Sequence, residues 1–200
     1  MRAGRQKEDL ARVLADARAC TLCAPHLPLG PRPVLRAKAS ARLLIVGQAP
    51  GTRVHETGIP WNDASGDRLR AWLGLDRETF YDDTRIAIVP VGFCYPGRNE
   101  KGGDRPPRPE CAPLWHPRIV PRLAQVRLTL LVGTYAQRFY LGPEGGKTVA
   151  GTVGRWRDFL PKYLPLPHPS WRTTAWERLR PWFASDLLPE LRNRIHDLVY

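Results

Sequence analysis

Apolar residues fall along the chain in two kinds of run. Leu43-Leu44-Ile45-Val46 and Leu130-Leu131-Val132 are short and unbroken, the pattern of strands buried on both faces. Leu10, Val13, Leu14 and Ala17 recur instead at helical spacing among charged residues, predicting an amphipathic helix over 6–19 that delivers Cys20-Thr21-Leu22-Cys23. From Pro25 to Ala39 the residues Pro25, Pro28, Gly30, Pro31 and Pro33 exclude helix and predict an extended connection.

Strands are predicted at 43–47, 85–91, 128–133 and 163–167. Between them lie a loop from Gly47 to about Ser65, a helix capped by Ser65 and running through Leu69, Trp72 and Leu73, a broken helical segment over 109–123 and a short helix over 135–141. Leu187, Leu188, Leu191, Ile195 and Leu198 share one face of a last helix, with Pro189 tolerable in its first turn or as a kink. Strands alternating with helices predict an α/β fold, a three-layer α/β/α arrangement around a four-stranded parallel sheet. Functional loops are then expected at the carboxyl ends of the strands. One domain over 1–200 is expected, its first 40 residues forming a helix and an extended arm.

Charge adds a partner to this picture. The 31 Lys+Arg against 19 Asp+Glu leave a net charge of +12, mostly from arginines spread along the whole chain. A folded basic surface that meets nucleic acid is the leading reading; an arginine-rich proteome is the plain alternative. No apolar run is long enough to span a membrane, and the first residues lack an apolar signal core. A cytoplasmic monomer is expected. In a reducing compartment Cys20, Cys23, Cys94 and Cys111 read as metal ligands rather than two disulfides, for zinc or for an iron–sulfur cluster.

Two further clusters carry chemistry. Gly47-Gln48-Ala49-Pro50-Gly51 follows a predicted strand, where glycines admit a ligand close to the backbone, but it matches neither the Walker nor the Rossmann pattern. His168-Pro169-Ser170-Trp171-Arg172 follows the last strand. A histidine there can stabilise a developing oxyanion, or simply bond the backbone of its loop.

Taken in order, these motifs resemble the uracil-DNA glycosylase superfamily, specifically its iron–sulfur branch, families 4 and 5. The resemblance rests on Cys-x2-Cys, Gly-Gln-Ala-Pro-Gly, Gly-Ile-Pro-Trp, Ala-Ser-Gly-Asp-Arg-Leu, the third and fourth cysteines, Leu-Leu-Val-Gly and His-Pro-Ser. It implies an enzyme that flips uracil or a related deaminated base out of DNA and cleaves its N-glycosidic bond, leaving an abasic site. It further implies a structural [4Fe–4S] cluster on Cys20, Cys23, Cys94 and Cys111, with zinc as the alternative.

Residue by residue, the resemblance puts Trp61 in a stacking role on the flipped base and His168 beside the leaving pyrimidine. Asp63 would orient water or stabilise the cationic sugar, or act only as a helix cap. Gln48 stands where family 4 has glutamate and would contact base or water, with Ala49 against the base. Pro50, Gly51, Ser65 and Gly66 would meet DNA. Ser170, Trp171 and Arg172 match an intercalation loop, Ser170 for a phosphate and Trp171 or Arg172 to fill the vacated stack. Pro90 replaces a base-reading asparagine, which implies a lesion range broader than uracil, hypoxanthine and xanthine included. His55 reads as a surface residue or a second acid/base. Two competing readings are a damaged-DNA-binding module without turnover and a nucleotide-processing enzyme acting on small substrates.

Overall fold

The computed structural model describes residues 9–100 and 102–200; the start of the predicted first helix lies outside them. Four strands form one all-parallel sheet: β1 (Leu43–Val46), β2 (Ile86–Ile88), β3 (Leu128–Val132) and β4 (Tyr163–Leu166), in the order β2-β1-β3-β4. Register pairs Leu43 with both Ile86 and Leu128, and Leu130 with Leu164. The unbroken apolar runs follow from this placement, because every strand is covered twice. Leu43, Ile45, Leu128, Leu130 and Val132 enter one core; Leu44, Val46 and Leu131 enter the other.

The first core is closed by α3 (Ala64–Leu73) and α9 (Leu188–Val199), through Leu69, Trp72, Leu73, Leu191 and Ile195. The second is closed by α1 (Leu10–Arg18), α5 (Cys111–Ile119) and α6 (Thr134–Leu141), through Val13, Leu14, Trp115, Ile119 and Ala136. The result is a three-layer α/β/α fold. Among the described residues no helix is long and apolar enough to cross a membrane.

Several elements depart from the pattern reading. The predicted loop after β1 contains α2 (Thr52–Thr57), which buries only Val54 and His55 and therefore leaves no periodic trace. Helix α3 begins at Ala64, capped by Asp63 and not by Ser65: the Asp63 carboxylate accepts from the Gly66 amide at 2.8 Å. Strand β2 covers only Ile86–Ile88 of the predicted 85–91, although Val89 and Val91 still donate to Ile45 and Gly47; Pro90 falls on the outer edge, where its missing N–H costs no bond to β1. The proline-rich arm is not wholly extended; Pro25 sits in one 3-10 turn, where its missing N–H removes no helical bond. Arg36 then pairs with Ile88 on the outer edge of β2. The short helices α4 (Arg77–Tyr81), α7 (Val149–Gly154) and α8 (Thr173–Arg178) were also not foreseen.

Candidate functional site

The chain leaves β1 for β2 on one side and crosses to β3 on the other, which opens a crevice at the carboxyl edge of the sheet. A cleft of about 110 Å³ lies there, lined by residues that follow three of the four strands. Gln48, Ala49, Pro50 and Gly51 come from the end of β1, with Trp61, Asp63 and Ser65 from the approach to α3. Pro90 follows β2, and His168 follows β4. Eight positions singled out in the sequence thus share one cleft with Pro90.

Trp61 is shaped by two glycines. Its backbone has φ +57°, in the left-handed region that a bulky residue rarely enters. Its indole lies over Gly47 so closely that a Cβ there would stand 2.7 Å from Cζ2. The Pro60 carbonyl accepts from the Tyr81 hydroxyl at 2.9 Å, and the Trp61 carbonyl from the buried Arg70 guanidinium at 3.3 Å. Arg70 itself pairs with Asp67 and lies over the Phe80 and Tyr81 rings. These bonds hold the strained turn. The indole both packs against the first core and walls the cleft, 5.8 Å from the His168 ring between centroids.

His168 is positioned through its backbone. Its carbonyl accepts from the Ser170 amide at 2.8 Å and from the Thr173 hydroxyl. Two residues earlier, the Leu166 carbonyl accepts from Gly133 N at 2.9 Å and from the buried Gln137 side chain at 2.8 Å. Gln137, not foreseen from sequence, thereby ties the end of β4 to α6. Burial lowers the His168 pKa below the usual imidazole value, and the Asp63 carboxylate works in the opposite direction. The ring is neutral at neutral pH. Asp63 needs one carboxylate oxygen to cap α3, so capping and a face on the cleft coexist in one side chain.

The wall at Pro90 has a support that the sequence reading missed. His116, 3% exposed, donates through Nε2 to the Pro90 carbonyl at 2.9 Å, while Nδ1 accepts from the Tyr140 hydroxyl at 2.7 Å. Burial pushes the His116 pKa down to about 4, which fixes this neutral tautomer. Asp104, also unforeseen, reaches the cleft from the loop between Cys94 and Cys111. His55 is buried on α2 beside Tyr95 and is not part of the cleft lining, so the surface reading is corrected.

Gly66 lies beneath Trp61 rather than in the lining, and Ser170, Trp171 and Arg172 form the loop beyond His168. Trp171 is 77% exposed with Arg172 over its ring. The base of this loop is fixed by Arg68 of α3, which donates to the Ser170 carbonyl at 3.1 Å and to Thr174 Oγ1 at 2.8 Å, and pairs with Glu177 at 2.7 Å.

All four cysteines are free thiols lining a second cavity, otherwise walled largely by apolar residues such as Leu22, Leu27, Phe93 and Trp115. Among the described residues no three His, Cys, Asp or Glu side chains close into a cage for one metal ion. Burial, with a smaller contribution from neighbouring thiols, raises the Cys111 thiol to about 12 and the Cys94 thiol to about 11. The two cavities share a wall: Gly92 lines the cysteine cavity, and a Cβ on it would stand 3.2 Å from Ala49 of the cleft.

A doubly covered parallel sheet with a small cleft of aromatic, imidazole and carboxylate groups at its carboxyl edge defines a three-layer α/β/α protein with a candidate site at the strand ends. The family model of the uracil DNA glycosylase superfamily matches residues 36–192, and the chain belongs to that superfamily. Its members are DNA glycosylase-type proteins, which act on DNA and generally hydrolyse N-glycosidic bonds.

Proposed function

We propose that this protein releases uracil or a related deaminated base from DNA by hydrolysing the N-glycosidic bond, leaving an abasic site. The observation that carries the reading is the meeting of Trp61, Asp63 and His168 in one cleft at the carboxyl edge of the sheet. A flipped base entering there stacks on the Trp61 indole, whose strained turn keeps the ring in place without reorganisation. As the bond from C1′ to the base breaks, its electron pair passes to the base. A neutral His168 N–H offers a hydrogen bond to the oxygen that gathers this charge.

Water completes the reaction at C1′, and the carboxylate oxygen of Asp63 not used for capping accepts its proton. The negative charge of Asp63 also favours the cationic sugar while the bond is open. Gln48 and Ala49 bound the base, and Ser65 with the 170–172 loop meets the DNA strand. The net charge of +12 supplies the phosphate attraction that offsets the cost of unstacking.

Cys20, Cys23, Cys94 and Cys111 would hold a [4Fe–4S] cluster; four thiols around one apolar cavity are a donor set suited to it. Such a cluster would cross-link α1, the loop after β2 and α5 rather than supply chemistry at the base, and the hydrogen bond from Gly92 N to the Gln48 carbonyl at 2.8 Å joins that region to the cleft. The test is single-turnover base release from duplexes bearing one uracil, hypoxanthine, xanthine or normal base. Release of a deaminated base supports the reading. Tight, lesion-selective retention without release would replace it with the damaged-DNA-binding module, which the apolar Pro90 side chain favours.

A further inference from the structure

Asp104 is the cleft residue that the proposed reaction leaves without a task. It sits in a small hairpin inside the loop joining Cys94 to Cys111. Arg98 and Asp104 pair as an antiparallel bridge, Asn99 N donates to the Gly103 carbonyl at 2.7 Å, and the Asn99 side chain accepts from Gly103 N at 3.1 Å. The neighbouring Arg105 amide donates to the Gly97 carbonyl at 2.8 Å. This frame projects the carboxylate to the mouth of the cleft, where a Cβ on Gly51 would stand 3.6 Å from Oδ2.

Among the described residues, no group donates a hydrogen bond to this carboxylate. Its pKa is raised, first by loss of water and also by the Asp63 charge, while Arg98 acts in the opposite sense. Asp104 is exposed at the mouth of the cleft, and a carboxylate placed there with no protein donor suits a ligand that brings one. On the Pro90 wall the main-chain carbonyl is engaged by His116, and the side chain has no polar atom.

Deamination changes one atom of the base edge in a way a carboxylate can read. The N3 of cytosine and the N1 of adenine are acceptors; in uracil and hypoxanthine the same nitrogens carry a hydrogen. We propose that Asp104 is a specificity residue whose carboxylate accepts this imide N–H from the flipped base. The proposal rests on the base-release reading of the cleft. It separates uracil from cytosine and hypoxanthine from adenine, since cytosine N3 or adenine N1 would set a lone pair against the carboxylate. Thymine and guanine share the N–H, so their exclusion falls to the shape of the other walls.

The test compares uracil with N3-methyluracil in otherwise identical duplexes, using the full-length protein, Asp104→Asn and Asp104→Leu. Wild type is expected to favour uracil by roughly 10- to 100-fold in kcat/KM. Asp104→Leu should lose most of that preference chiefly by slowing on uracil, and Asp104→Asn, which keeps an acceptor oxygen, should retain part of it. A wild type indifferent to the methyl group, or an Asp104→Leu that keeps the full preference, overturns the proposal. If wild type releases no base at all, the base-release reading fails. Binding of uncleavable 2′-fluoro duplexes, with and without the N3 methyl, then decides the role of Asp104 separately by the same comparison.

Discussion

Gly66 lies directly beneath the carbonyl of Trp61: a Cβ added to it would stand 1.7 Å from that oxygen and 2.5 Å from the carbonyl carbon. Both obstructing atoms are backbone, so no side-chain rotation relieves the clash. The same glycine supplies the amide that Asp63 caps. Gly66→Ala should therefore cost about 3 kcal/mol or more of stability and shift Trp61, whereas Ser65→Ala, one residue earlier, should change stability little. Denaturant unfolding followed by tryptophan emission measures both effects.

Asp63 serves α3 and faces the cleft, and the two uses respond differently to substitution. Asp63→Asn keeps a capping oxygen, so its unfolding midpoint should stay near wild type, while Asp63→Ala should lose about 1 kcal/mol. Base release by both should fall by at least 100-fold if the charge is the working feature. Asp63→Asn with wild-type turnover would leave Asp63 as a cap alone. His168→Ala should lower release on a similar scale while duplex affinity persists, because in the proposed reaction its ring would serve the leaving base and not phosphate binding.

The buried His116 ties stability to pH. Its folded pKa of about 4 lies below the ordinary imidazole value of 6.5, so the unfolded chain takes up a proton first as the solution is acidified. Its contribution is complete above about pH 6.5 and is lost progressively down to pH 4, by roughly 3 kcal/mol in all. His116→Gln should flatten that limb of the stability profile. Equal acid sensitivity in the variant and wild type would assign the effect to other groups.

For the cysteines, anaerobically purified protein should absorb at about 400 nm and contain iron in proportion to a four-iron cluster. Cys23→Ser should bleach this band and lower the unfolding temperature more than it changes release per folded molecule. A colourless protein carrying one zinc per chain would assign the site to zinc instead.

The strands and most of the cleft were legible in the sequence, for a physical reason. Strands covered on both faces are largely apolar, so Leu43–Val46 and Leu130–Val132 stand out as runs, and the loops at their carboxyl ends carry the unusual residues. The sequence leaves the α3 cap between Ser65 and Asp63, because both are good capping residues and they stand two positions apart. The Gly66 amide, held by its packing under Trp61, settles the choice. Asp104, His116 and Gln137 left no local signature. Each acquires its place through contacts with residues distant in sequence, such as Gly51, Pro90 and Leu166.

The three contacts of Arg68 with the Ser170 loop and α8 have a mechanical consequence. A projection that presses Trp171 into a stack of bases receives an equal push in return. A freely hinged loop would fold back under it. If Trp171 enters the stack as proposed, the load would pass through the Arg68 guanidinium into α3, whose Leu69, Trp72 and Leu73 are set in the first core. The loop and the Asp63 end of α3 are thus joined through one helix, so on the proposed reading a push on Trp171 and the placing of the flipped nucleotide would be coupled.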